Sequence, residues 1–176
     1  MTSHLRVRIG DLGESDAAAV VRPIRSDGEA ITAIGRRLEM LAGPTVSERL
    51  QGLGDLPVGG AVITPAGDLP AQFIIHAVLQ SAEEPVSPPI VQRALVNVLR
   101  RARDLGLASV ALPPMGAGAG HLDAEQAAHL MVEVLSDHLR GREAPQSIEI
   151  VVESAYEEEL YAREARVHDG ADAHGP

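Results

Sequence analysis

Ser109-Val-Ala-Leu-Pro-Pro-Met-Gly-Ala-Gly-Ala-Gly-His-Leu-Asp123 is the stretch whose reading decides the fold. Ser109 to Leu112 is strand-like, Gly116, Gly118 and Gly120 form a glycine-rich connection, and Asp123 is placed to cap a following helix. Gln126, three residues on, completes a capping-box pattern, and Leu130, Met131, Val134, Leu135 and Leu139 supply that helix with a buried face. A helix N-terminus carries backbone N–H groups without intrahelical partners and a dipole that favours anions, and small residues let such a backbone approach a phosphate. Strand end, glycine loop and helix start are also where open α/β sheets bind ligands. The same glycines would equally serve a turn that needs positive φ angles. No Lys or Ser/Thr follows in the P-loop pattern, so nucleoside triphosphate hydrolysis is not supported.

Working outward, Leu5, Val7 and Ile9 alternate with Arg6 and Arg8, the period of a strand with one wet face. Ala17 to Val21 reads as a short buried strand, and the spacing of Ile31, Ile34, Leu38, Leu41 and Ala42 predicts a helix stopped by Gly43-Pro44. A second short helix is expected over Val46 to Leu50, then strands at Ala61 to Thr64 and Phe73 to Leu79, with Ser81 to Ser87 a loop. Ser87 is a natural N-cap with Pro88 at the first helical position, and Ile90, Val91, Ala94, Leu95, Val98, Leu99 and Ala102 form one apolar stripe ended by Gly106. Ser147 to Val152 is the last strand, Ala155 to Arg166 the last helix, and His168 to Pro176 a disordered tail. Strands alternating with helices predict an α/β layer fold with a mostly parallel sheet, as one domain over residues 1–167.

Composition narrows the function classes. Fifteen basic against twenty-five acidic residues give a net charge of −10, which disfavours polymeric nucleic acid and anionic membranes as partners. The chain has no Cys, which excludes thiol catalysis and thiolate metal sites. No signal-like or membrane-spanning run is present in the sequence, and a cytoplasmic location is expected. The aromatic residues are Phe73, Tyr156 and Tyr161 alone, so a ligand that depends on stacking finds few rings. His121, Asp123 and Glu125 do not share a helical face, and His129 and His138 do not line up, so neither a metal nor a cofactor is assigned.

Over residues 5 to 166 the chain resembles the macro domain family, whose usual ligand is ADP-ribose. The resemblance is carried by Leu56-Pro-Val-Gly-Gly-Ala-Val-Ile-Thr64, Leu69-Pro-Ala-Gln-Phe-Ile-Ile-His-Ala-Val78, the Ser109 to Gly120 segment and, near the start, Gly10-Asp11-Leu12. It implies a three-layer α/β/α sandwich around a six-stranded mixed sheet. It also implies that Asp11 accepts from an adenine amino group, that Leu12 offers its amide, and that Gly116, Ala117, Gly118, Ala119 and Gly120 wrap a diphosphate, with Gly118 closest and Met115 a further ligand contact. Read on its own residues, Asp11 could equally cap a turn after the strand. His76 is read as a hydrogen-bonded core histidine.

The family's asparagine segment and glycine triplet have no counterpart in this resemblance, because Val20 to Gly28 and Ile31-Thr32-Ala33 stand there. Asn97, the only asparagine, is assigned to a solvated helix face. Gly120 and Glu153 occupy positions where the family commonly carries a ring, leaving Tyr156 as the ring with a path to an adenine. Arg22, Arg25, Asp27 and Glu29 read as a solvent-exposed loop with weak ion pairs, or alternatively as a source of phosphate contacts. Three functions follow from this pattern. The first is a binder of ADP-ribose or a related nucleotide diphosphate with little catalysis. The second is a divergent ADP-ribosyl or O-acetyl-ADP-ribose hydrolase using Asp27 or Glu29 as base. The third is a degenerate macro fold acting as a homodimer or interaction scaffold, its pocket filled by Ile24, Ile31 or Met115.

Overall fold

The computed structural model describes residues 4–117 and 122–172. Among these described residues, six strands form one mixed sheet: β1 (His4–Ile9), β2 (Ala19–Arg25), β3 (Ala61–Pro65), β4 (Phe73–Gln80), β5 (Ser109–Leu112) and β6 (Ser147–Val152). Their spatial order is β1-β6-β5-β2-β4-β3, parallel throughout except for the edge strand β3, which runs antiparallel to β4. The described α-helices that cover it are α1 (Ala33–Ala42), α2 (Pro44–Gln51), α3 (Pro88–Asp104), α4 (Ala124–Arg140) and α5 (Ala155–Asp172).

Alternation along the strands builds the layers. Ala19 and Val21 of β2, Ile75, Ala77 and Leu79 of β4, and Ile148, Ile150 and Val152 of β6 join the buried stripes of α3, α4 and α5 in one core. Val20, Ile74, Ala111 and Val151 point to the opposite face, where Leu38 and Ala42 of α1 and Val46 of α2 cover them. Residues successive on a strand face opposite sides, so a sheet buried on both faces produces two cores and a three-layer α/β/α sandwich. No described helix is long and apolar enough to cross a membrane.

Several helix boundaries have visible causes. Thr32 caps α1 by accepting from the Gly35 amide, and Asp123 caps α4 by accepting from the Gln126 amide at 2.8 Å. After α3, Gly106 adopts φ +64 while the Leu107 amide reaches back to the Ala102 carbonyl and its own amide to that of Arg103, a Schellman termination. The last helix departs from the expectation: α5 continues past Arg166 through His168 to Asp172, so the tail predicted to start at His168 begins inside a helix. Residues 173–176 of that tail lie outside the described residues.

The larger departure is β2. Val20-Val-Arg-Pro-Ile-Arg25 reads as the approach to a charged loop, yet it is strand: Val20 to Ile24 pair with Ile74 to Val78 of β4, and after a register shift Arg25 pairs with Gln80. Pairing of β2 with β5 is confined to Ala19 and Val20, so at Pro23 the strand is paired on its β4 side alone, the kind of one-sided position where a strand tolerates proline. Arg22 is 1% exposed. Its guanidinium donates to Glu39 Oε2 at 2.7 Å and to the Gly35 carbonyl at 3.0 Å, and Glu39 in turn accepts from Ser47. The expected solvent-exposed loop with weak ion pairs is therefore corrected for Arg22, whose charge is buried and paired. It describes Arg25 and Asp27, which form an exposed ion pair.

Candidate ligand-binding site

The C-terminal ends of β1, β5 and β6 open onto a cleft of about 490 Å³, a size suited to a small-molecule ligand. Gly10 and Leu12 border it after β1, Pro113, Pro114 and Ala117 after β5, and Val151 and Glu153 at the end of β6. Ile31 to Ile34 and Arg36, at the start of α1, form one wall, with Ala124 and Glu157 at the starts of α4 and α5. Three helix N-termini thus converge on one opening, each with leading amides that lack intrahelical partners. At α1, the Thr32 hydroxyl accepts from the Gly35 amide at 3.1 Å.

Asp11 lies just past β1, between the lining residues Gly10 and Leu12, and caps the short turn Leu12–Glu14; it does not itself border the cleft. Its carboxylate accepts from the Gly13 amide at 2.9 Å and from Arg37 Nε at 3.1 Å. The Arg37 hydrogen bond holds its carboxyl below the usual range, so it is an ionised acceptor at neutral pH. Leu12, 1% exposed, forms the floor beside it.

The segment after β5 is pinched at its base. Gly116 has φ +89, a conformation that favours glycine, and a Cβ there would lie 2.9 Å from Leu122 Cδ1 and 3.0 Å from Val91 Cγ2, so both side chains would have to give way. The Gly116 carbonyl accepts from the Leu122 amide at 3.3 Å, and Ala117 forms a bridge with Leu122. Gly118, Ala119 and Gly120, named above as diphosphate contacts, lie outside the described residues, as does His121. Met115 is fully buried, its amide donating to Met131 Sδ at 3.1 Å, so its side chain belongs to the core.

The remaining expected contacts divide. Glu153 lines the cleft, whereas Tyr156 is 63% exposed and absent from its lining. Asp27 faces a separate depression that it shares with Arg25, Asp55 and Glu84, and Arg25 holds its carboxyl below the usual range. Neither Asp27 nor Glu29 borders the 490 Å³ cleft. The pocket-filling side chains suggested above are elsewhere or at the wall: Ile24 packs with Leu50, Leu56 and Val78, and Ile31 stands at the rim. Asn97 corrects its assignment to a solvated face, since its amide nitrogen donates to the Gly59 carbonyl at 2.8 Å and ties α3 to the loop before β3.

His76, in β4, is fully buried. Nδ1 lies 3.4 Å from Arg22 Nη1 and Nε2 lies 2.9 Å from Thr64 Oγ1. A guanidinium can only donate, so Nδ1 is the acceptor and Nε2 carries the proton. Burial, reinforced by the Arg22 charge, pushes its pKa down to about 3, and the ring is a neutral structural element outside the cleft.

Sequence reading missed Arg36, Pro113, Pro114 and Glu157 as lining residues. Glu157 had a signal. Ser154-Ala-Tyr-Glu157 has the spacing of a capping box: Ser154 Oγ accepts from the Glu157 amide at 3.2 Å, and Glu157 Oε1 accepts from the Ser154 hydroxyl at 3.2 Å and from the preceding Glu153 amide at 3.3 Å. This reciprocal cap turns the first carboxylate of α5 toward the end of β6.

Comparison with known proteins agrees with this architecture. The family profile described as Macro domain matches residues 21–131. An uncharacterized protein of Aeropyrum pernix is 39% identical over 145 residues, covering 78% of this chain and 73% of its own. A Mycobacterium tuberculosis protein is 35% identical over 118 residues, 67% of this chain, which spans about a third (32%) of that relative's length. The O-acetyl-ADP-ribose deacetylase of Escherichia fergusonii is 28% identical over 169 residues, 93% of this chain and 96% of its own. Among solved structures, the Oceanobacillus iheyensis macrodomain with ADP superposes with a TM-score of 0.85 at 18% identity, over 95% of this chain and 92% of that one. A point mutant of that macrodomain with ADPR gives a TM-score of 0.84, also at 18% identity, over 94% of each chain. By the profile match over most of its strands, and by the six-stranded sandwich that those strands form, the chain belongs to the macro domain family.

Proposed function

We propose that the protein binds ADP-ribose or a related nucleotide diphosphate in the cleft at the ends of β1, β5 and β6, without efficient catalysis. The observation that carries this reading is the open 490 Å³ cavity, bordered by Gly10, Leu12 and Ala117, with the ionised Asp11 adjacent in the chain to the first two and the Gly116 turn to the third. Asp11 takes the adenine amino group as donor, and Leu12 offers its amide beside it. The diphosphate lies between the amides at the start of α1 and the loop that begins at Gly116, where the partial positive charge of helix termini offsets the acidic Glu153 and Glu157. Arg36 is the cationic side chain of the lining and contributes a charge-assisted bond to the phosphates. ADP and ADPR in the Oceanobacillus iheyensis macrodomain support this ligand class.

The deacetylase relative motivates a second reading as a hydrolase. It has lost its suggested bases, because Asp27 is ion-paired outside the cleft and Glu29 does not line it.

Calorimetry with ADP-ribose tests the proposal. The wild type should bind saturably, and Asp11→Ala should weaken binding by about 10- to 100-fold, the value of a hydrogen bond to a charged group. A folded wild type that gives no heat at millimolar ligand refutes it. Release of acetate from O-acetyl-ADP-ribose by the wild type would overturn the non-catalytic part alone.

A further inference from the structure

Two helices bring together three side chains that the nucleotide cleft does not use. His129 projects from α4, and Glu164 and His168 stand one turn apart on the same face of α5. One potential ligand atom from each lies within 4.8 Å of the other two. His129 Nδ1 and Glu164 Oε2 are 3.1 Å apart, and the two imidazole rings have centroids separated by 6.0 Å. The Glu164 side chain is only 17% exposed although it carries a carboxylate. His168 Nε2 is buried and has no hydrogen-bond partner, the one such side-chain nitrogen or oxygen among the described residues. None of the three borders the nucleotide cleft.

We infer that His129, Glu164 and His168 form a binding site for a borderline divalent transition metal, zinc above all, that clips the end of α5 to α4. Two imidazoles and a carboxylate are a donor set such metals accept, and they leave a coordination position for water. Zinc–ligand bonds of about 2.0 to 2.1 Å in a tetrahedron place ligand atoms about 3.3 Å apart. The His129–Glu164 hydrogen bond of 3.1 Å already holds two ligand atoms near that spacing, a bond the metal would replace, and a ligand atom of His168 within 4.8 Å of both must move inward to close the third corner. The metal gives the orphaned Nε2 a partner, and it supplies a tether where apolar packing ends. Leu160, Tyr161 and Ala165 are the apolar residues of α5 that pack on the core, whereas Val167 is 61% exposed.

The test uses the full chain, stripped of metal with a chelator, and titrates it calorimetrically with zinc chloride, with cobalt(II) absorption as an optical report of coordination. Expected is one zinc per chain, a rise in thermal midpoint on loading, and a loss of affinity greater than about tenfold in His129→Ala, in His168→Ala and in Glu164→Gln. His129 is 62% exposed, so its substitution leaves the fold intact and keeps the test valid. Failure of the wild type to take up zinc at about 100 µM, a concentration that detects weak sites, overturns the inference. So does undiminished uptake by folded His129→Ala, or by the His129→Ala/His168→Ala double variant. Nucleotide binding plays no part in either outcome.

Discussion

Gly116 and Gly106 offer a paired measurement of what the turn after β5 requires. Both have positive φ, +89 and +64, but their surroundings differ. A Cβ at Gly106 meets nothing within 4 Å, whereas one at Gly116 overlaps Leu122 and Val91 at 2.9 and 3.0 Å. Gly106→Ala should therefore cost only the backbone term, about 1 to 2 kcal/mol for an L-residue in left-handed conformation. Gly116→Ala carries a similar backbone cost plus overpacking against a closed core, about 1 to 3 kcal/mol more, giving about 2 to 5 kcal/mol in all. For a domain of this size each kcal/mol lowers the thermal midpoint by about 2 to 4 °C, so Gly116→Ala should melt roughly 4 to 20 °C below wild type. Urea unfolding followed by circular dichroism measures both variants on one scale. Equal losses, or a Gly116→Ala protein within about 0.5 kcal/mol of wild type, would refute the claim that Leu122 and Val91 close on this glycine. The pair also separates stability from binding, since Gly106 precedes β5 and the cleft lies beyond its other end. Only Gly116→Ala should weaken ADP-ribose binding.

Arg22→Ala removes one member of a buried ion pair and should cost about 3 kcal/mol, the lower end for such pairs, because Glu39 at 35% exposure can rehydrate. Arg22→Met keeps the bulk and should recover at least about 1 kcal/mol, and urea melts in which Arg22→Ala unfolds like wild type contradict the burial argument. His76 gives a pH signature. Its folded pKa, about 3, lies below its unfolded value, so the unfolded chain binds the extra proton and stability falls as pH drops below about 6.5. The slope from this group is at most about 1.4 kcal/mol per pH unit down to the folded pKa, and His76→Gln should abolish it in melts compared at pH about 6.5 and 5.

What the sequence could reveal depended on the range of the signals. α3 was legible from end to end, because Ser87-Pro88, the apolar stripe and Gly106 are all local. β2 was not, because a strand containing Arg22 and Pro23 makes sense only beside Glu39 and Gly35, which lie more than ten residues away on α1. Asn97 misled for the same reason, its partner being the Gly59 carbonyl 38 residues earlier. The cleft was half legible. Leu12 and Ala117, beside Asp11 and Gly116, announce themselves by motif, while Arg36 and Glu157 enter the lining only through the convergence of helix starts. Glu164 and His168 carry a readable spacing of four, yet His129 is 35 residues from Glu164 and joins them only through the packing of α4 on α5.

The bridge between Ala117 and Leu122 has a consequence for how this fold can be altered. Because Ala117 and Leu122 are fastened to each other and Gly116 is seated on Leu122 and Val91, the scaffold fixes both anchor points of the segment between them whatever that segment's length. Its closure entropy grows slowly with length, about 0.6 kcal/mol for each doubling of a flexible loop. Longer or chemically different segments can therefore be exchanged between Ala117 and Leu122 with little penalty to the sheet.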